Sequence, residues 1–132
     1  MYDVRPVGTV RSELTHLAAA PCQGDEGAPG AWVELEQWAL PALDGVAAGE
    51  DALLLTWLDR ADRDVLRVHP RGDRERPIAG VFATRSPDRP NPIGVHRVRV
   101  LEIDGGRLRV AALEALDGTP VLDIKPVLGD ER

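Results

Sequence analysis

At 132 residues, 43% of them hydrophobic, the chain can bury about two thirds of its unfolded surface in one core and is too short for two domains. A lone cysteine, Cys22, excludes an internal disulfide. With no run of about 18 apolar residues and no charged-then-apolar leader, neither membrane insertion nor secretion is expected, which points to the cytoplasm.

In chain order, apolar alternation predicts short strands at Val4–Val10, Ala31–Glu36, Ala52–Leu58, Ile78–Thr84, Val95–Ile103, Arg107–Glu114 and Val121–Ile124. Cys22–Gly30, rich in Gly and acids, reads as a loop, and Gln37–Val46 can hold one short helix limited by Pro41. Asp104-Gly105-Gly106 reads as a hairpin turn and Asp117-Gly118 as a second turn. The pattern predicts an all-β fold, a small antiparallel barrel or sheet with at most one or two short helices, occupying residues 1–132 as a single domain without a C-terminal extension domain.

Charge is unevenly spread over the 16 basic and 22 acidic residues that give the net −6. Between Arg60 and Arg99, ten arginines face five acids, so that stretch is +5 and the remainder −11. A cationic middle in an acidic chain can attract phosphate or carboxylate locally; a solvated Arg/Asp surface accounts for the same charges.

Two segments carry candidate chemistry. Thr84-Arg85-Ser86-Pro87-Asp88-Arg89-Pro90-Asn91-Pro92-Ile93-Gly94 holds three prolines in six residues. Each proline fixes its own φ and restrains the residue before it, so the loop presents Arg85, Asp88, Arg89 and Asn91 with little entropy left to lose on binding. A rigid strand connection explains the same residues. In Leu113–Pro126, Glu114, Asp117 and Asp123 could hydrogen-bond a ribose or accept a proton, and Lys125 could meet an anion. As plain structure, Asp117 belongs to a turn and Lys125 is an edge-strand charge. His16, His69 and His96 lack ligand-like spacing, so no metal site is expected. Trp32, Trp38 and Trp57 sit in or beside apolar patterns and read as core or dimer-interface residues.

Gly80–Gly94 followed by Leu116–Pro126, together with Val7–Ser12, the Pro21–Gly24 region and Leu53–Arg63, resembles the signature of the TsaA-like family over nearly the whole chain. The resemblance implies a small β-barrel that binds S-adenosylmethionine as a homodimer and methylates the exocyclic nitrogen of threonylcarbamoyl-adenosine in threonine tRNA. A Rossmann methyltransferase is disfavoured independently, because no Gly-rich turn opens a helix after the first strand.

Carried over by position, the resemblance places cofactor contacts at Pro21, Cys22, Gln23, Leu58, Asp59, Arg85, Val95, Ala111, Ala112, Leu113 and Glu114. Beside these, Arg89, Asn91 and Lys125 are expected to bind substrate, and Asp59 or Asp117 to accept the proton, with Asn91 positioning the base. Two positions depart from the family pattern. Cys22 stands where Arg is usual, which removes a bidentate donor, and Asp59 stands where His is usual, which removes a neutral donor. A small-molecule acceptor, or cofactor binding without turnover, are the alternative readings.

Overall fold

Inward apolar and outward charged residues alternate along most of the chain's extended segments, and a sheet of that kind buries one face by curling onto itself. In the computed structural model, which describes residues 1–13, 30–111 and 113–129, the strands are β1 (Gly8–Arg11), β2 (Ala31–Leu35), β3 (Asp51–Trp57), β4 (Arg67–Val68), β5 (Ala79–Gly80), β6 (Ile93–Asp104), β7 (Arg107–Ala111) and β8 (Pro120–Pro126). Six of them form a closed barrel in the order β1-β2-β7-β6-β3-β8, every neighbouring pair antiparallel; β4 and β5 make a separate two-stranded ribbon.

The barrel is filled by Val10, Ala31, Val33, Ala52, Leu54, Val98, Val100, Leu108, Val110 and Val121, with Leu113 and Ala115 added from the segment after β7. Burial of each of the larger of these contributes roughly 1.5–3 kcal/mol. Outward positions on the same strands carry Arg97, Arg99, Arg107 and Arg109. No helix among the described residues is long and apolar enough to cross a membrane.

Several strand expectations are corrected. Ile78–Thr84 is not one strand: after Ala79–Gly80 the chain turns into a short 3-10 helix, Val81–Ala83, because the Val81 carbonyl accepts the Thr84 N–H and hydroxyl instead of a ladder partner. The first strand is short and begins at Gly8, where a Cβ would sit 2.6 Å from the Glu34 carbonyl oxygen, so only glycine allows β1 and β2 to approach this closely. In β6 the inward residues are Gly94, His96, Val98 and Val100, which puts Val95 and Leu101 on the outer face. A bulge in the β6–β7 pairing between Val100 and Glu102 shifts the register there. The segment Gln37–Leu43 is a 3-10 helix with Pro41 inside it, as a proline-limited helix requires.

Antiparallel closure sorts the connections onto two ends. One end gathers the end of β1, the start of β2, the segment after β3, the proline-rich loop before β6 and the described part of the β7–β8 segment. At the other lie the β6–β7 hairpin, the Gln37–Leu43 helix and the turns before β3.

Candidate functional site

The first of these ends is where most of the sequence-derived candidates meet. Trp57 at the end of β3 pairs with Ile93 at the start of β6, so Leu58 and Asp59 emerge beside the proline-rich loop. The Leu58 N–H donates to the Pro92 carbonyl at 2.8 Å. Asp88 accepts the Asp62 N–H at 2.8 Å, while Arg63 donates through Nε to the Pro90 carbonyl at 2.8 Å and through Nη2 to Asn91 Oδ1 at 3.2 Å. Arg63 also lies 5.0 Å from the Trp57 ring centroid. Residues 58–64 therefore brace the loop from outside.

From inside, Arg89 does the same. Its Nη1 donates to the Thr84 and Ser86 carbonyls at 3.0 and 2.9 Å, and its Nη2 to the Val81 carbonyl at 3.0 Å. Ser86 N–H to Thr84 Oγ1 and Asp88 N–H to Ser86 Oγ complete a chain of local turns. The two loop arginines thus divide their work: Arg89 is committed to its own backbone, whereas Arg85 is exposed and has no hydrogen bond or ion pair among the described residues. An exposed, unpaired guanidinium on a stiff loop is a receptor for a carboxylate or phosphate.

The β7–β8 segment supplies the opposite charge. Glu114 and His96 form a pair, the Glu114 Oε1 lying 2.5 Å from His96 Nδ1, and His96 Nε2 lies 2.7 Å from the hydroxyl of Thr56. His96 and Thr56 are buried; the Glu114 side chain retains 13% exposure. Gly94 makes room for them, since a Cβ there would stand 2.5 Å from Thr56 Oγ1 and 2.8 Å from His96 Nε2. Leu113 is fully buried beneath, and Ala111 closes β7. On the rim, Arg11, Ser12, Glu13, Gly30, Ala31, Trp32 and Arg109 line a cleft of about 520 Å³, a volume in the range of small-molecule sites.

Other candidates are engaged in the fold, face away from the barrel interior or lie outside the described residues. Asp117 accepts the Ser12 N–H at 3.0 Å, and with Gly118 at φ +85° it forms the turn that anchors the end of β1. Val95 faces outward from β6 opposite Leu55. Lys125 pairs with Leu53 in the part of β8 that runs toward the opposite end. It is exposed and bonded to Asp123 at 2.9 Å, which holds its ammonium above the ordinary lysine value. Pro21, Cys22, Gln23 and Ala112 lie outside the described residues. Among the described residues no group of three His, Cys, Asp or Glu could hold a metal ion.

None of the three tryptophans is in the barrel core. Trp38 is half exposed under Arg5, 4.1 Å from its ring centroid, and Trp32 lies under Arg107 at 4.0 Å. Sequence reasoning missed Thr56, His96 and Arg63. A Gly two residues before a buried polar side chain, Gly94 before His96, was the available signal.

The profile of the tRNA-methyltransferase O N-terminal domain matches residues 9–130. A protein of Methanothermobacter thermautotrophicus described as a probable S-adenosyl-L-methionine-binding protein is 46% identical over 127 residues, covering 96% of this chain and 90% of its own. An S-adenosyl-L-methionine-binding protein of Archaeoglobus fulgidus is 41% identical over 122 residues, covering 92% of this chain and 86% of its own. The crystal structure of TrmO from Pseudomonas aeruginosa superposes with a TM-score of 0.74 at 31% identity, across all of this chain and 61% of that one. The chain belongs to the tRNA-methyltransferase O N-terminal domain family.

Proposed function

We propose that the protein is a methyltransferase that uses S-adenosylmethionine to methylate the N6 nitrogen of threonylcarbamoyl-adenosine in threonine tRNA, acting in the cytoplasm as a homodimer. The observation that carries this reading is the presence, at the same barrel end, of a guanidinium on a stiff loop with no partner among the described residues, Arg85, and a carboxylate at the mouth, Glu114. S-adenosylmethionine is a zwitterionic nucleoside, with a carboxylate for a guanidinium and an ammonium and ribose hydroxyls for a carboxylate; the residues present fit that group. When bound, it supplies a methyl group already activated on sulfur.

The protein's part is then positioning and proton transfer. Arg85 grips the cofactor carboxylate, and the rigid 84–92 loop holds that grip in one place at low entropic cost. Asp59, exposed at the exit of β3, takes the proton released by the nitrogen, since Asp117 is engaged by the Ser12 N–H. Asn91, held through its oxygen by Arg63, turns its amide hydrogens toward the base or its threonyl group. Leu58, Ala111 and Leu113 provide apolar lining that excludes water.

The test is calorimetric titration with S-adenosylmethionine and S-adenosylhomocysteine, then a labelled-methyl assay on total tRNA. Binding with label entering threonine tRNA is expected. Transfer that needs no RNA replaces the acceptor with a small molecule, a reading favoured by the net charge of −6. Binding without transfer to either class makes the protein a cofactor-binding protein, the description its curated relatives carry. No binding overturns the proposal.

A further inference from the structure

His96 is the one histidine among the described residues that the barrel buries, and neither the cofactor grip nor the proton acceptor described above uses it. Its surroundings are restrictive. Its inward neighbours are apolar, Leu54 opposite it on β3 and Val98 two residues on in β6, and its polar contacts are Thr56 on β3 and Glu114 on the β7–β8 segment. With the Glu114 carboxylate at Nδ1, the hydrogen of a neutral imidazole belongs on Nδ1, and Nε2 then accepts the Thr56 hydroxyl. Both imidazole nitrogens and the Thr56 hydroxyl are satisfied in one arrangement.

Glu114 Oε1 is consumed in this chain, while Oε2 has no hydrogen-bond partner among the described residues. Because no buried side-chain polar atom is left without a partner there, that oxygen keeps access to solvent at the mouth. A triad of this pattern elsewhere activates a hydroxyl, but Thr56 is fully buried and no substrate could reach it. The arrangement points outward instead: two buried groups orient one carboxylate oxygen that remains open.

We propose that His96, backed by Thr56, is a positioning residue that fixes the Glu114 carboxylate so that its open oxygen accepts a hydrogen bond from the bound nucleoside cofactor. This rests on the cofactor reading above. Outer-shell partners of this kind tune a ligand-binding group by holding its orientation. Gly94 serves the same arrangement, being the only residue type that leaves space for Thr56 and His96 to meet.

The experiment is NMR of the imidazole nitrogens of His96 with and without S-adenosylhomocysteine, alongside calorimetry of the unmodified protein, His96→Gln, Thr56→Val and Glu114→Gln. The free protein should show the hydrogen on Nδ1, and saturation with the ligand should shift that nitrogen's resonance. Affinity should fall about tenfold in His96→Gln, with a smaller loss in Thr56→Val, which keeps Nδ1 donating. In Glu114→Gln, adding His96→Gln should cost nothing further. Repetition with 5′-deoxy-5′-methylthioadenosine, which keeps the ribose and lacks the amino-acid end, assigns the donor: a retained His96 effect places it on the ribose, a lost one on the ammonium.

An imidazole resonance unmoved by saturating ligand, or unchanged affinity in a folded His96→Gln protein, overturns the proposal while the cofactor reading stands. Should His96→Gln fail to fold, the NMR shift in the unmodified protein and the Thr56→Val affinity decide. Failure of the unmodified protein to bind S-adenosylhomocysteine overturns both.

Discussion

The two ends of the barrel solve different problems with the same six strands. At the hairpin end, β6 returns into β7 through Gly105-Gly106 with positive φ at Gly105 only, the pattern of a II′ turn matched to strand twist. The Gln37–Leu43 helix packs there, sending Leu43 and, just after it, Val46 against the core. Apolar contact and short turns close that end. At the other, the segment from Val81 to Pro92 is proline-rich and charged, and what orders it is hydrogen bonding to its backbone carbonyls by Arg63 and Arg89. The comparison teaches that rigidity at a binding face need not come from burial: prolines and internally committed arginines leave neighbouring polar groups exposed and fixed.

The sharpest way to break this contrast is Arg85→Ala. Its side chain supports nothing in the fold among the described residues, so thermal unfolding should be unchanged while methyl transfer falls by about a hundredfold or more; equal activity would sink the assignment of the cofactor grip. Gly94→Ala comes next, because a Cβ so close to Thr56 and His96 forces one of them to move. Chemical denaturation should report a loss of about 1–3 kcal/mol, together with weaker cofactor binding, and a neutral result would mean that the mouth is looser than its geometry.

At the hairpin end, Gly105→Ala places a Cβ at φ +60°, with nothing nearby to clash. It should cost about 1 kcal/mol through backbone strain alone and leave turnover intact; a loss of activity comparable to that in Arg85→Ala would show that the two ends are not independent. The smallest effect is expected from Asp51→Asn. Hydrogen bonds from Arg99 and then Arg97 hold the Asp51 carboxyl below its ordinary value. A depressed folded value stabilises above the ordinary carboxylate range, and the contribution is lost as pH falls through the folded value. Melting temperature measured downward from about pH 4 should therefore decline less steeply in the variant. An unchanged acid limb would show that the pair is too exposed to matter.

Much of the fold was legible in the residues. The antiparallel all-β character follows from alternation, with closure into a barrel implied only by the family resemblance, and the turns at Gly105 and Gly118 follow from residue types that tolerate positive φ. The misread segment has a physical cause: Val81–Thr84 leaves the ladder because its carbonyls serve Arg89 and Thr84; and β6 can bury His96 because a hydrogen-bonded imidazole can occupy an inward position. Within the candidate site, the proline loop and the exit of β3 were readable as polar, stiff segments. That Arg85 is exposed while Arg89 is consumed was not, since the two have the same chemistry and differ only in which carbonyls fold back within reach.

Local rules act over a few residues: where a strand alternates, where a proline stiffens, where a glycine turns the chain. Those rules fix the element types and the rigidity of the 84–92 loop. Which distant residues meet is a matter of barrel closure and register. Thr56, His96 and Glu114, up to 58 positions apart, converge because β3 and β6 pair with Leu54 opposite His96 and the chain after β7 runs back across the mouth. Pairings of that kind depend on long-range hydrogen-bond ladders, whose partners no short stretch of sequence encodes.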